Sequence, residues 1–152
     1  AASDVYKRQA TLTHLKDNFT NSCWGQRTTT MVELPFDVSL GSVVINGRID
    51  AVFQDDDDHY TVVDWKTGKV PTNEKDRMTK ALQLAVYRIA FQRIINVQRA
   101  EKGQPPLPLE NIRAAFYYVA HDDTLWLDEL ADAAELEKLI TGLTASTDME
   151  KQ

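Results

Sequence analysis

Cysteine is nearly absent from the sequence, and Cys23 is the only one. A single thiol can form neither an intramolecular disulfide nor a cysteine-based metal site, so both are excluded as sources of stability. A reactive thiol would need a histidine and an acidic partner that the sequence does not obviously supply. We therefore expect Cys23 to be a buried or bystander thiol.

The sequence also lacks long apolar runs. No stretch approaches the roughly eighteen consecutive apolar residues of a membrane span, and the N-terminus lacks the charged-then-apolar pattern of a secretory signal. With 43% hydrophobic residues in 152 positions, one compact domain is expected. We expect a soluble, cytoplasmic protein without membrane contacts.

A surplus of basic residues is missing as well, since the net charge is -6. Free-standing DNA-binding proteins normally contact phosphates through an excess of lysine and arginine on one face. Two interpretations stay open for a DNA-binding role. Bound divalent cations could offset part of the negative charge, or the main DNA-binding surface could lie on another domain.

Residue patterns predict one order of elements after a weakly patterned start. The first thirty residues suggest only a helix around Leu12 to Phe19, and Ala1 to Gln9 read as neither helix nor strand. The segments that follow are predicted as three strands, a long buried helix, two further strands and an amphipathic helix. Their expected ranges are Met31–Asp37, Ser42–Phe53, Tyr60–Lys66, Glu74–Gln98, Ile112–Ala120, Thr124–Leu127 and Leu130–Leu143.

Asp50 and Asp64 are equidistant from Asp57 in an acidic run, Asp55 to Asp58. If that run forms the turn of a β-hairpin, the two aspartates lie opposite each other on antiparallel strands. Side chains paired in this way have Cβ atoms about 4.5–5.5 Å apart, where two carboxylates repel. The arrangement predicts a cation between them. Strand alternation puts Lys66 on the same face as Asp64.

Two carboxylates and an ammonium group at one spot suit phosphodiester hydrolysis. A divalent cation can orient and acidify a water, and a lysine can stabilise negative charge on the phosphate in the transition state. Mg²⁺ is commonly bound by a few carboxylates together with waters and substrate oxygens. Glu33, on the preceding strand, is a candidate for completing the metal shell. The pattern predicts an enzyme that uses Mg²⁺ or Mn²⁺.

Three segments in order carry a resemblance to a known family: Gly47-Arg48-Ile49-Asp50, Val62-Val63-Asp64-Trp65-Lys66-Thr67-Gly68 and Gln83-Leu84-Ala85-Val86-Tyr87. They resemble the PD-(D/E)XK nucleases, specifically the RecB-like branch at the C-terminus of bacterial helicase-nucleases, which carries Gln-x-x-x-Tyr on the helix after the catalytic hairpin. The last two segments and the strand Ala114–Val119 are most similar to actinobacterial UvrD-type helicase-nuclease subunits. The resemblance covers roughly Val32 to Leu143.

The resemblance implies an α/β, restriction-endonuclease-like fold in which a mixed central β-sheet is flanked by helices. The nuclease core is expected over residues 31–146, preceded by a weakly structured or partly helical segment over residues 1–30. The first helix of the fold is expected to be missing. For the site, the resemblance implies that the metal is bound by Asp50, Asp64 and the backbone carbonyl of Trp65, with Glu33 as a further ligand. It implies that Lys66 is the catalytic lysine. It also implies that Gln83 and Tyr87 bracket the site and the DNA.

The implied function is a metal-dependent exodeoxyribonuclease domain of an ATP-dependent helicase-nuclease that processes DNA double-strand breaks in repair and recombination. Its implied substrate is DNA, as single-stranded ends delivered by a fused or partner helicase subunit. The family also has an upstream histidine in a Gly-and-His pattern, and His14 lacks that context. Either the chain is truncated before that helix or the site departs from the family, so the chain alone is expected to be a poor nuclease.

Competing interpretations concern both the motifs and the whole domain. The Asp55 to Asp58 run resembles half of a calcium loop but lacks the required glycine and final acid. Thr67-Gly68-Lys69 resembles the end of a phosphate-binding loop but lacks its upstream glycine. His59 and His121 are expected at the surface.

The alternative functions are a catalytically inactive nuclease-like module for DNA or partner binding, and an interaction domain with an acidic surface.

Overall fold

A computed structural model of the chain describes residues 2–127 and 129–150, with side chains for residues 3–127 and 129–142. The elements in chain order are α1 (Ala2–Asn21), β1 (Met31–Leu40), β2 (Val43–Asp56), β3 (His59–Lys66), α2 (Glu74–Glu101), β4 (Ile112–Tyr118), β5 (Asp123–Trp126) and α3 (Ala133–Glu150). Every strand and helix predicted from residue 31 onwards is confirmed, with ends shifted by at most three residues except at the C-terminus of α3, which lies seven residues further on.

The five strands form one mixed sheet in the order β1-β2-β3-β4-β5. The β3–β4 pair is parallel and the other three neighbouring pairs are antiparallel. A parallel pair cannot be joined by a tight turn, and α2 supplies the crossover that it needs. The predicted α/β fold with a mixed central sheet is therefore confirmed.

Each face of the sheet has its own apolar core. The larger core packs α2 and α3 against one face and includes Val62 of β3 and Phe116 of β4. The smaller core, on the other face, includes Val63 and Tyr117 and is covered by α1 and Trp24. Successive strand residues point to opposite faces, so Asp64 and Lys66 share the face of α2.

Helix α2 begins where the sequence supplies a cap. The side-chain oxygen of Asn73 accepts a hydrogen bond from the backbone N–H of Asp76 at 2.8 Å, which satisfies one of the free donors of the first turn. The middle of the helix is buried through residues such as Leu84 and Phe91. The helix is not buried on all sides, since Met78 and Val97 are 61% and 62% exposed, while Ile95 and Arg99 near its C-terminal end are buried. The expected burial therefore does not extend around the whole helix.

The N-terminal segment is more regular than its sequence suggested. Residues 2–21 form a continuous helix, so the expectation of irregular structure before Ala10 is wrong for residues 2–9. The helix predicted around Leu12 to Phe19 is confirmed as part of this longer helix. Helix α1 packs on the smaller core through Leu15 and Phe19, and Asn18 Nδ2 donates to the carbonyl of Val119 at 2.8 Å. Although α1 has few apolar residues, these contacts hold it against the sheet.

The structure also bears on the Cys23 thiol and on membrane-spanning helices. Cys23 is exposed, which leaves the bystander interpretation of its thiol. Within the described part of the chain, no helix combines the length and apolar character needed to cross a bilayer.

Gly47 makes room for an aromatic ring. It pairs with Phe36 across β1 and β2, and a Cβ added at Gly47 would lie 2.5 Å from Cζ of Phe36. The Phe36 ring in turn meets the Tyr87 ring of α2 edge-on, with centroids 5.7 Å apart. The glycine of the Gly-x-x-Asp motif thereby lets β1 and α2 pack closely beside the site.

Gly47→Ala should destabilise the protein by about 1–3 kcal/mol, because the added methyl group must displace a buried ring. The free energy of unfolding from urea denaturation measures the effect. Gly142→Ala is the matched control, since a Cβ there would meet nothing within 4 Å and alanine is favoured over glycine in a helix such as α3. Equal stability of the two variants would contradict the packing role of Gly47.

Candidate active site

The β2–β3 hairpin brings Asp50 and Asp64 together. Its register pairs Ala51 with Val63, and the next positions along the two strands are Asp50 and Asp64. The turn is made by two residues of the acidic run, Asp57 and Asp58. The hairpin predicted from the symmetry of the sequence is therefore confirmed.

Asp50 is oriented by the backbone of the neighbouring strand. Its Oδ2 accepts a hydrogen bond from the backbone N–H of Trp65 at 2.8 Å. The Trp65 ring is held in the smaller core, where it meets Phe19 and Tyr117 edge-on with centroid distances of 5.1 and 6.0 Å. Aromatic packing on one face of the sheet thus fixes the amide that orients a carboxylate of the site.

Asp64 is the electrostatically unusual group of the site. Its side chain is 8% exposed. Burial raises the pKa of its carboxyl and a hydrogen bond with Asp50 raises it further, whereas contact with Lys66 lowers it, and the result is a pKa of about 7. Burial and a like-charged neighbour both disfavour the ionised form of Asp64. When Asp50 and Asp64 are both deprotonated, the negative charge of the site therefore exceeds its positive charge.

Lys66 supplies part of that positive charge. Its Nζ lies 2.9 Å from Oδ2 of Asp64, and its side chain is 24% exposed. The ammonium group also lies 5.2 Å from the ring centroid of Phe116, the residue that pairs with Asp64 across the parallel strands. Lys66 is therefore directed into the site and not toward solvent.

A second lysine approaches the same ring from α2. Nζ of Lys80 lies 5.9 Å from the Phe116 centroid, and Lys80 is half-buried. No carboxylate of the described residues lies within 4.0 Å of its ammonium group. It also borders an open groove of about 340 Å³ between the loop after β3 and the start of α2, lined by Lys69, Pro71, Asp76, Thr79 and Lys80. An anion in this groove would meet an unpaired cation.

Gln83 and Tyr87 lie one turn apart on α2, as their spacing predicted. Gln83 Nε2 donates to the hydroxyl oxygen of Tyr87 at 2.8 Å, which leaves the Tyr87 proton free to be donated elsewhere. Burial raises the pKa of Tyr87, and the nearby charge of Asp64 raises it further. The tyrosine is thus a neutral donor within electrostatic reach of the two carboxylates.

Two buried polar atoms of the described residues lack a hydrogen-bond partner: Oδ2 of Asp64 and the hydroxyl of Tyr118. The 2.9 Å contact of Oδ2 with Lys66 is a charge contact without hydrogen-bond alignment. Leaving a buried polar atom unpaired costs about 1–3 kcal/mol, so two such atoms on one face of the sheet are notable. Tyr118 pairs with Lys66 across β3 and β4, which puts it beside the catalytic candidates.

Glu33 is not brought into a cluster with the two aspartates. From the pairing of Val32 with Ala51, it lies across from Asp50 in the sheet, but it is exposed and its φ of 47° is left-handed. Among the described residues, no group of three or more His, Cys, Asp or Glu side chains could hold a metal. The metal-ligand role of Glu33 stays a prediction.

The histidines lie away from the carboxylates. Nε2 of His14 is 3.3 Å from the carbonyl oxygen of Ala120, on the side of the sheet covered by α1. His59 and His121 are exposed, as expected, and His59 pairs with Asp56 at 2.7 Å. None of these contacts links a histidine to Asp50 or Asp64.

The residues present fit a divalent cation. Asp50 and Asp64 offer adjacent carboxylate oxygens, and one of these, Oδ2 of Asp64, is buried without a hydrogen bond. Mg²⁺ is often held by one or two carboxylates, with waters and substrate phosphates as the other ligands. A cation here would stabilise the ionised form of Asp64, which burial and then the contact with Asp50 disfavour.

The sequence matches the family model of the PD-(D/E)XK nuclease superfamily over residues 6–149. The chain belongs to this superfamily. A comparison with curated proteins found no matching relative. Membership identifies the chain as a nuclease domain and implies that it binds DNA, and PD-(D/E)XK nucleases typically use divalent metals. In this PD-(D/E)XK nuclease, Asp64-Trp65-Lys66 fits the (D/E)XK part of the name, while Ile49 stands where the name has proline before Asp50.

Sequence reasoning missed two residues beside the site of this PD-(D/E)XK nuclease, Lys80 and Tyr118. Lys80 lies three residues before Gln83 and seven before Tyr87, a spacing that puts all three on one side of a helix, so periodicity could have identified it. Tyr118 gave no such signal. Its place beside Lys66 depends on the register of two strands separated by α2, which no local pattern encodes.

The raised pKa of Asp64 should make stability pH-dependent. The folded pKa is about 7 and that of an unfolded aspartate is about 3.9, so between these values the folded protein binds more protons than the unfolded chain. Stability from this group is fully present below about pH 4 and is lost as the pH rises through about 7. In EDTA, the melting temperature of the wild type should fall from about pH 5 to about pH 8.5 more steeply than that of Asp64→Asn.

Asp37→Asn is the control for this experiment, because it removes an exposed carboxylate of β1. Its melting curve should follow that of the wild type. Parallel pH profiles for the wild type and Asp64→Asn would show that Asp64 ionises normally in the folded protein.

Proposed function

We propose that this chain is a Mg²⁺- or Mn²⁺-dependent deoxyribonuclease domain in which Asp50 and Asp64 bind the cation and Lys66 is the catalytic lysine. One observation carries the proposal. Asp64 is buried next to a second carboxylate and a lysine, and its pKa is raised to about 7. Perturbed carboxylates of this kind cluster at functional sites, and binding a divalent cation is the reaction that such a pair favours.

Each residue of the site has its own role in phosphodiester hydrolysis. Asp50, Asp64 and the backbone carbonyl of Trp65 would hold the cation, which would acidify a water and offset charge on the phosphate. The water oxygen would form a bond to phosphorus and give up one proton, one phosphorus–oxygen ester bond would break, and the departing oxygen would take up one proton. Lys66 stabilises the negative charge that develops on the phosphate.

The α2 side chains hold the substrate in this proposal. Gln83 keeps the Tyr87 hydroxyl in place by donating to it, and Tyr87 donates its own proton to a phosphate oxygen. Glu33 lies across the sheet from Asp50 and would need to reorient to act as a further ligand, so we assign it a supporting role. Positioning groups of this kind lower the barrier by holding the reacting atoms in line.

We further infer that the domain belongs to the RecB-like branch and works as an exonuclease within a helicase-nuclease in double-strand break repair. The Gln-x-x-x-Tyr pair on the helix after the hairpin supports the branch assignment. The net charge of -6 supports a role beside a helicase motor subunit. Such a subunit would deliver single-stranded ends and supply the DNA-binding surface that an acidic domain lacks. A cytoplasmic location is part of the same proposal.

Metal binding should be separable from catalysis. Mn²⁺ should raise the melting temperature of the wild type. At one hundred times its dissociation constant, the ion should add about 2.7 kcal/mol to the free energy of unfolding. Asp64→Asn should lose most of this rise. Lys66→Ala should keep it while cleaving labelled single-stranded DNA about 10²–10³-fold more slowly. Differential scanning fluorimetry and a gel-based cleavage assay measure the two effects.

The same assays test the inactive-module alternative, which gains support because the hydrogen-bond contacts of His14 are with Ala120 and Asn18 and not with Asp50 or Asp64. A module that only binds DNA would show no Mn²⁺-dependent cleavage, either alone or joined to a motor subunit. A melting temperature unaffected by Mg²⁺ and Mn²⁺ would count against the proposed site itself.

Lys80 should contact the DNA backbone, because it is an unpaired, half-buried cation next to Lys66. Lys80→Gln should weaken binding of single-stranded DNA and lower the slope of log affinity against log salt by about 0.7. Fluorescence anisotropy in EDTA measures binding without cleavage. Lys102→Gln, just past the other end of α2 and about 30 Å away, changes the net charge equally. Equal losses in both variants would mean that only net charge matters.

A further inference from the structure

Tyr118 is buried and unpaired next to the proposed nuclease site. It is 1% exposed, and its hydroxyl has no hydrogen-bond partner in the described part of the chain. Its ring is held against Phe116, with centroids 6.2 Å apart. The backbone is fixed as well, because Tyr118 ends the strand that pairs in parallel with β3. The hydroxyl is therefore a rigidly held donor with nothing to donate to.

An acceptor that lacks a hydrogen bond lies on the same face of the sheet, beside the ammonium group of Lys66. Oδ2 of Asp64 is the other buried polar atom that lacks a hydrogen bond among the described residues. Asp64 pairs with Phe116 and Lys66 pairs with Tyr118, so the tyrosine lies diagonally across from the aspartate. Burial raises the pKa of Tyr118, and the charge of Asp64 raises it further. The hydroxyl stays protonated and within electrostatic reach of that carboxylate.

A donor and an acceptor left unpaired at one place are most simply completed by a third atom that both can contact. Buried polar groups nearly always have partners, and an oxygen between the two would satisfy both. A water oxygen has the chemistry required, because it can accept from the Tyr118 hydroxyl and donate to Asp64, whereas a phosphate oxygen can only accept from the hydroxyl. A direct bond between Tyr118 and Asp64 is the competing possibility, and it would need no third atom.

We propose that Tyr118 is a positioning residue of this nuclease, whose hydroxyl donates a hydrogen bond to a water oxygen held beside Asp64 when the divalent cation is bound. The proposal rests on the function proposed above. It assigns Tyr118 no bond making or breaking. Its role is to hold an oxygen in one place, which complements the charge supplied by Lys66 on the adjacent strand.

The neighbouring tyrosine provides a matched control. Tyr117 lies on the opposite face of the sheet, where its hydroxyl donates to Asp122 at 2.6 Å. Tyr117→Phe and Tyr118→Phe each remove one hydroxyl from the same strand without changing ring packing. Only Tyr117→Phe removes a hydrogen bond that the metal-free protein already has.

The two variants should therefore behave in opposite ways. Tyr117→Phe should lower the melting temperature in EDTA and keep the Mn²⁺-induced rise. Tyr118→Phe should keep or raise the melting temperature in EDTA, weaken apparent Mn²⁺ affinity by about 10-fold, and lower kcat for single-stranded DNA with little change in KM. The pH profile of kcat should also shift, because the group that orients the oxygen is lost.

Three outcomes would overturn the role of Tyr118. If Tyr118→Phe lowers the metal-free melting temperature as much as Tyr117→Phe, the hydroxyl has a structural bond within the protein. If its Mn²⁺ response, kcat and pH profile match the wild type, the hydroxyl does not act in the site. If the wild type itself does not respond to Mn²⁺, the proposed function fails and the inference fails with it.

Discussion

The burial of Asp64 beside a second carboxylate is the constraint on which the site depends, because lost hydration and repulsion from Asp50 both disfavour its charge. Asp50 and Asp64 occupy neighbouring strands, and the burial of Asp64 removes the water that would otherwise screen them. Lys66 offsets only part of the charge, as the raised pKa of Asp64 shows. A metal-free protein can relieve this repulsion by keeping a proton, and a metal-bound protein can relieve it with the cation. Proton and cation therefore compete for the same carboxylates.

Each face of the sheet contributes differently to holding this arrangement. On the smaller core, the Trp65 ring is locked among aromatic side chains, and its backbone N–H orients Asp50. On the larger core, Phe36 lies over Gly47 and meets Tyr87, which sets how α2 approaches the site. The hydrophobic contacts that stabilise the sheet are thus the same contacts that position the polar groups.

Positive charge near the site is concentrated around Phe116 in a protein that is acidic overall. The ammonium groups of Lys66 and Lys80 both lie within 6 Å of that ring, and only Lys66 has a carboxylate partner among the described residues. Aromatic faces attract cations, so the ring helps to hold both lysines beside the site. A local field of this kind attracts an anionic substrate even when the net charge is unfavourable.

The sequence by itself determined the local features of the protein. Strand alternation, the helical period of α2 and the symmetry of Asp50 and Asp64 about the acidic turn are properties of short segments, and the hairpin and its carboxylate pair followed from them. Helix α1 was predicted only over Leu12 to Phe19 because its apolar residues are few, and contacts of Leu15, Asn18 and Phe19 attach it to the rest of the fold. Likewise, the positions of Tyr118 and His14 relative to the carboxylates were decided by tertiary structure. The reason is that β3 and β4 become neighbours only after α2 crosses over the sheet, and the register of such a distant pair is set by packing of the whole core.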